Sequence, residues 1–173
     1  AETIDSGGNT RPGYIRLAYL PNPNGRRLGL SAYEMDGTAV AAEIDRSFDE
    51  LQTIIPDYFL GFEDATIESS LAGMLLRHKK TLSVAESCTG GSIAQRFTAM
   101  AGASDYFLGG VVSYSNEMKE NILHVSHETL VKYGAVSEQV ACQMAEGIRR
   151  ITSSDYSIAT TGIAGPTGGT DET

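Results

Sequence analysis

Leu82-Ser83-Val84-Ala85, followed by Glu86-Ser87-Cys88-Thr89-Gly90-Gly91, decides the fold. Four uncharged residues read as a buried strand, the paired glycines end a short loop, and Ile93, Phe97 and Met100 then recur at helical spacing as the inner face of a helix. Strand, loop and helix in that order is the unit of an α/β sheet. The grammar repeats downstream. Phe107–Tyr114 reads as a strand, helices cover about 116–133, and Ser137 caps a helix with Val140, Met144, Ile148 and Ile151 inward. A last strand, Tyr156–Thr160, runs into Thr161-Gly162-Ile163-Ala164-Gly165-Pro166-Thr167-Gly168-Gly169. The pattern predicts an open α/β sheet in three layers, with helices on both faces.

Upstream, a helical pattern from Thr66 to His78 carries Ile67, Leu71, Met74 and Leu75. Before it the character is that of a small α+β domain over residues 14–64. Ile15, Leu17 and Tyr19 alternate with Arg16 and Ala18, Pro21-Asn22-Pro23-Asn24-Gly25 supplies a turn, and Leu28, Leu30 and Ala32 alternate again. Val40, Ile44, Phe48, Leu51 and Ile55 line one helix face that Pro56 stops, and Tyr58–Phe62 reads as a third strand. Residues 1–13, rich in Gly, Ser, Thr and Asn, read as a tail or linker. The expected organisation is thus 1–13, 14–64 and 65–173.

The 173 residues, 41% hydrophobic and 20% charged, have the balance of a folded globular chain. The net charge of −9 repels a phosphate backbone, and residues 1–68, with 5 Arg, no Lys and 12 acidic residues, carry −7 of it. No apolar run approaches the ~20 residues that span a bilayer, and the start lacks the features of a signal peptide. Two cysteines, Cys88 and Cys142, make neither a disulfide framework nor a zinc site, so a cytoplasmic location is expected. Without an initiator Met, the chain reads as processed or cut from a longer one.

In an open α/β sheet, ligands bind at the carboxyl ends of the strands, where loops meet helix N-termini. Glu86-Ser87-Cys88-Thr89-Gly90-Gly91 puts two hydroxyls, a thiol and a carboxylate there, with glycines that admit a close approach. The same residues also suit a plain capped turn, with Ser87 or Thr89 as N-cap. A nucleophilic serine or cysteine needs a base. His78, His124 and His127 sit at helix ends without a companion set and read as solvated. Lys119, one turn past the strand Val111–Tyr114, is the better candidate base if burial lowers its pKa, and otherwise a surface lysine paired with Glu117 or Glu120. Cys88 competes with Ser87 as nucleophile, Cys142 reads as a core or boundary residue, and Tyr114 could orient either partner.

Ala85–Gly91, Val112-Ser113-Tyr114-Ser115-Asn116-Glu117-Met118-Lys119, Tyr133-Gly134-Ala135-Val136-Ser137 and Thr161–Gly169 together resemble the C-terminal domain of the CinA competence/damage-inducible family. Residues 14–64 resemble the KH-like domain preceding it in longer members. The resemblance implies a nicotinamide-nucleotide amidase that converts nicotinamide mononucleotide to nicotinate mononucleotide and ammonia, with no cofactor or metal. It implies Ser87 as nucleophile, Lys119 as base and Tyr114 as the orienting hydroxyl, with Glu86, Thr89, Gly90, Gly91, Asn116, Gly162 and Gly165 around the substrate. Two departures accompany it: nothing here corresponds to the pyrophosphatase domain of the family's longer members, and the family continues past Thr173 into a further strand and helix.

The expected partner is a small pyridine nucleotide, with neither membrane nor nucleic acid; a homo-oligomer stays open. The competing reading is a non-catalytic nucleotide- or phosphate-binding module. RNA binding is disfavoured, because a KH clamp needs Gly-x-x-Gly and Gly25-Arg26-Arg27-Leu28-Gly29 has three intervening residues.

Overall fold

A computed structural model describes residues 3–4, 10–11, 15–22, 25–32, 37–62 and 65–163. The chain divides into two compact units, Ala1–Phe59 and Leu60–Thr173. This boundary falls a few residues before the one expected at 64.

In the first unit, β1 (Thr3–Ile4) and β2 (Thr10–Arg11) form a short antiparallel ladder in a stretch whose composition suggests a tail. β3 (Ile15–Asn22) and β4 (Gly25–Ala32) pair antiparallel in full register from Ile15↔Ala32 to Asn22↔Gly25. Gly25–Gly29 is therefore strand. Helix α1 (Gly37–Ile54) follows, and Val40, Ile44, Phe48 and Leu51 on its apolar face, with Ile55 just beyond its end, are all half-buried. The strand expected at Tyr58–Phe62 does not form: Pro56–Tyr58 is a 3₁₀ turn, and the chain then bends. A strand needs a neighbour for its main-chain groups. Here the Leu60 carbonyl instead takes the Ser70 hydroxyl (2.9 Å) and Phe62 O takes the Ala65 N–H (3.1 Å), leading the chain into α2.

Among the described residues the second unit is a parallel sheet of three strands with helices on both faces, as the sequence predicts. Its elements are α2 (Ile67–His78), β5 (Leu82–Glu86), α3 (Ser92–Thr98), β6 (Phe107–Val112), α4 (Asn116–Asn121), α5 (His127–Tyr133), α6 (Glu138–Thr152) and β7 (Tyr156–Thr160). The strand order is β6-β5-β7, all parallel, with β5 in the middle and buried along its whole length. One face carries α2 and α3, where Ala72, Leu75, Leu82, Phe97 and Tyr106 pack with Ile93, Met100, Phe107 and Ile158. The other carries α5 and α6, where Ala85, Leu130, Val140, Met144 and Ile148 pack with Leu123, Val125, Val111 and Ala159.

Strand periodicity explains this division: Leu82 and Ala85 have opposite parity and enter opposite cores. In β6, Phe107 and Val111 share a parity yet face different cores, because a register shift opposite Leu82/Ser83 turns the strand over. Gly110 then lies where a Cβ would come within 3.0 Å of the Val84 carbonyl, so only glycine fits the strand contact.

Two periodic readings fail in part. Ile67 and Met74 of α2 are exposed, while Ala72 and Leu75 are buried, with Leu71 partly so. Ile151 is exposed in the last turn of α6, and the inward contact is made by Gly147, whose missing side chain lets the helix rest on the Leu123 main chain. Cys142, also on α6, is exposed rather than a core residue.

Candidate functional site

The chain leaves β5 for β6 on one side and later crosses to β7 on the other, so strand order reverses at β5. Loops diverge at such a point and open a crevice at the carboxyl ends of the strands. Ser87 is the first residue past β5 and is only 6% exposed. Its N–H donates to Thr160 O (3.0 Å) at the end of β7, while Ser113 N–H, past β6, donates to Glu86 O (2.7 Å). The serine is thus anchored by hydrogen bonds to both neighbouring strand ends.

Lys119 reaches it from α4. Ser115 caps this helix through Met118 N–H (3.2 Å), and Leu123 and Val125, both buried, seat the segment after it in the core. The side chain turns back over the sheet edge and is 2% exposed. Its Nζ lies 3.2 Å from Ser87 Oγ, 3.0 Å from Ser113 O and 3.2 Å from Tyr114 O. Burial holds its pKa below the ordinary lysine value, partly offset by the nearby Cys88. The alternative of a solvated lysine paired with Glu117 or Glu120 is excluded by this burial. Glu120 instead meets His127 Nδ1 at 2.7 Å on the surface.

The two carbonyls decide what the amine can do. A neutral amine has two N–H groups and one lone pair. Ser113 O and Tyr114 O accept the two N–H groups, which turns the lone pair toward the Ser87 hydroxyl. After proton uptake the third N–H has Ser87 Oγ as its partner, so both protonation states are satisfied by the same three groups.

Tyr114 therefore enters through its main-chain carbonyl. Its side chain is 74% exposed, which corrects the role of an orienting hydroxyl. Glu86 is also placed away from a substrate. The Glu86 carboxylate is buried beneath the loop: Oε2 accepts the N–H groups of Gly91 (3.1 Å) and Ile93 (3.0 Å), and Oε1 that of Ala94 (2.8 Å). Burial alone would raise its pKa. The N–H bonds from Ala94, Ile93 and Gly91 and the Thr89 hydroxyl outweigh that, leaving it below the ordinary carboxylate value. Thr89 Oγ1 lies 2.7 Å from Thr160 Oγ1, tying the loop to β7. Neither Ser87 nor Thr89 caps α3, whose N-cap is Gly91.

Gly90 and Gly91 have φ of 60° and 98°, the left-handed region that lets the loop turn directly from strand into helix. Gly162 follows β7, and a Cβ there would stand 3.0 Å from Cys88 Sγ, so this loop closes on the thiol. Cys88 is half-buried and free. Asn116 opens α4 on the exposed surface, and Gly165 lies outside the described residues. The sequence reading missed the carbonyls of Ser113 and Tyr114, which no side-chain motif announces. Among the described residues no group of three His, Cys, Asp or Glu gathers as a cation site, and no helix is long and apolar enough to cross a membrane.

An open parallel α/β sheet with a buried serine-lysine pair where strand order reverses defines the class. Residues 64–173 match the family model of the CinA C-terminal domain, and the chain belongs to the CinA family. It is 44% identical over 170 residues to a CinA-like protein of Flavobacterium psychrophilum, covering 98% of this chain and 41% of that one. To a CinA-like protein of Chlorobium chlorochromatii it is 47% identical over 161 residues, covering 93% and 38%. The chain spans about two-fifths of the length of these curated relatives. Among solved structures, it is similar to the competence/damage-inducible protein CihA of Agrobacterium tumefaciens (TM-score 0.60, 42% identity, covering 61% of this chain and 64% of that one). It is likewise similar to a CinA superfamily protein of Escherichia coli (TM-score 0.60, 38% identity, covering 69% and 72%).

Proposed function

We propose that the second unit is an amidohydrolase that converts nicotinamide mononucleotide to nicotinate mononucleotide and ammonia, with Ser87 as nucleophile and Lys119 as base. The observation that carries this reading is the buried Lys119 Nζ, 3.2 Å from Ser87 Oγ and oriented by two carbonyls. A module that only binds phosphate has no use for a desolvated amine on a serine hydroxyl. The substrate comes from the family resemblance, which the CinA match supports at the level of the family.

In this mechanism Ser87 Oγ attacks the carboxamide carbon as its proton passes to Lys119 Nζ, and the carbonyl π pair moves onto oxygen. The N–H groups of Cys88 and Thr89, which make no hydrogen bond among the described residues, are the donors this reading assigns to the resulting oxyanion; one such donor is worth about 3 kcal/mol of barrier. Collapse breaks the C–N bond, the amine leaves with the Lys119 proton as ammonia, and an acyl-serine remains. Water then attacks the ester carbon while Lys119 again takes the proton, and the acid and free serine result.

The partner in this reading is a small pyridine nucleotide, and its setting the cytoplasm. Residues 14–64 are read as a KH-like appendage without a nucleic-acid role, supported by the −7 carried by residues 1–68 and by the strand in place of a Gly-rich clamp. The test is ammonia release from nicotinamide mononucleotide by the whole chain. Turnover that Ser87→Ala abolishes supports the reading; a wild-type chain that binds the nucleotide and releases no ammonia refutes it in favour of the binding module.

A further inference from the structure

Glu86 is a buried carboxylate that the mechanism does not use, and its surroundings are unusual for a group one residue from a nucleophile. Strand alternation sends it to the α3 face of the sheet while Ser87 turns the other way. Its two oxygens take three main-chain N–H groups, those of Gly91, Ile93 and Ala94, at 2.8–3.1 Å. The Thr89 hydroxyl lies 2.7 Å from the Thr160 hydroxyl at the end of β7, which ties the same loop to the sheet. The Glu86 carbonyl meanwhile accepts the N–H of Ser113, the residue whose own carbonyl holds Lys119 Nζ. One residue is therefore bonded to the first turn of α3 by its side chain and to the lysine's support by its main chain.

We propose that Glu86 is a positioning residue that holds the Ser87–Gly91 loop against α3, so that Ser87 Oγ and the Cys88 and Thr89 N–H groups keep a reactive arrangement. It acts through the loop, not through the charge of Lys119, whose lowered pKa comes from burial. The glycines at 90 and 91 make this necessary. Positive φ at both leaves the turn with little conformational preference of its own, and an anchor is needed to select one shape. A carboxylate is suited because it accepts on both oxygens. An amide at this site would set an N–H₂ group against incoming N–H donors.

The inference rests on Ser87 being the nucleophile but not on the identity of the substrate. It is therefore tested with a fluorophosphonate, in which the serine oxygen displaces fluoride at phosphorus, rather than with a nucleotide. Rates are measured on the whole chain per folded molecule. Glu86→Gln is expected to slow Ser87 labelling about tenfold and Glu86→Ala about a hundredfold, the cost of misplacing a reacting group by about 1 Å. The acid limb of the rate-versus-pH curve should stay where it is in the wild type. Equal labelling per folded molecule, or a displaced acid limb, overturns the proposal. Should both variants unfold, Thr89→Val, which keeps the volume and removes one donor, is expected to slow labelling about threefold. An unchanged rate in that variant overturns the proposal as well. A wild-type chain that labels at Ser87 yet leaves nicotinamide mononucleotide intact sinks the substrate reading alone, and absence of label at Ser87 sinks the nucleophile assignment itself.

Discussion

Replacing Lys119 by Met removes the amine while nearly keeping its shape, and the structure sets two coupled consequences. The first is chemical. Loss of a positioned base costs about 10²–10⁴ in rate, and more where nucleophile and base act as one unit, so ammonia release should vanish within detection. The second is thermodynamic. Burial lowers the Lys119 pKa, so between that value and the ordinary lysine value near 10.5 the unfolded chain binds more protons than the folded one. Stability from this group is then lowest below the folded pKa, rises with pH through the window, and is full above the unfolded pKa. Each pH unit inside the window carries about 1.4 kcal/mol. Met has no such dependence. Melting curves of the two proteins from pH 6 to 10 should show the wild type gaining on Lys119→Met as pH rises, whatever the offset from three lost hydrogen bonds. The same lowered pKa predicts that wild-type kcat/KM rises with pH to a plateau reached below the range of a free lysine. Parallel melting curves, or a variant that still turns over, would refute the buried-base argument.

Three further outcomes follow from the geometry. Cys88→Ala should keep most of the turnover, since only Ser87 faces Nζ; total loss in a folded variant, measured as ammonia release, would move the nucleophile by one residue. Tyr114→Phe should change kcat by no more than about threefold, because the contact uses the carbonyl and a free-standing hydroxyl contributes little. Gly147→Ala forces a Cβ into the Leu123 main chain and should cost about 2–3 kcal/mol by denaturant titration, with α6 displaced from the sheet; an unchanged midpoint would mean the close approach is not required.

Helix and strand elements of the second unit were mostly legible where periodicity ran through the middle of an element, Met74 of α2 being an exception. Phe97, Val140, Met144 and Ile148 are buried as the pattern predicts, and Tyr156–Thr160 is a strand with the expected bounds. The reading failed at ends, where Ile67 and Ile151 continue the pattern past the sheet that would cover them, and at Tyr58–Phe62, where β-forming residues have no neighbouring strand. Within the site, residue types and the Gly-rich loop made Ser87, Cys88 and Lys119 candidates, and the family resemblance is what singled out Ser87 and Lys119. Glu86 was misread as a substrate contact, although the alternation of β5 already places it and Ser87 on opposite faces.

What the sequence by itself determined is the order of elements, the parallel α/β class and the candidate nucleophile and base, because local periodicity and residue chemistry are properties of neighbours along the chain. What only the tertiary structure decided is that Lys119 is buried against Ser87, that Ser113 and Tyr114 serve through carbonyls, and that Glu86 turns inward to the helix. The physical reason is that the pKa of an amine and the direction of its lone pair are set by desolvation and by acceptors that converge only when β5, β6 and α4 pack together. Thirty-two residues of chain separate the lysine from its serine, and no local pattern spans that distance.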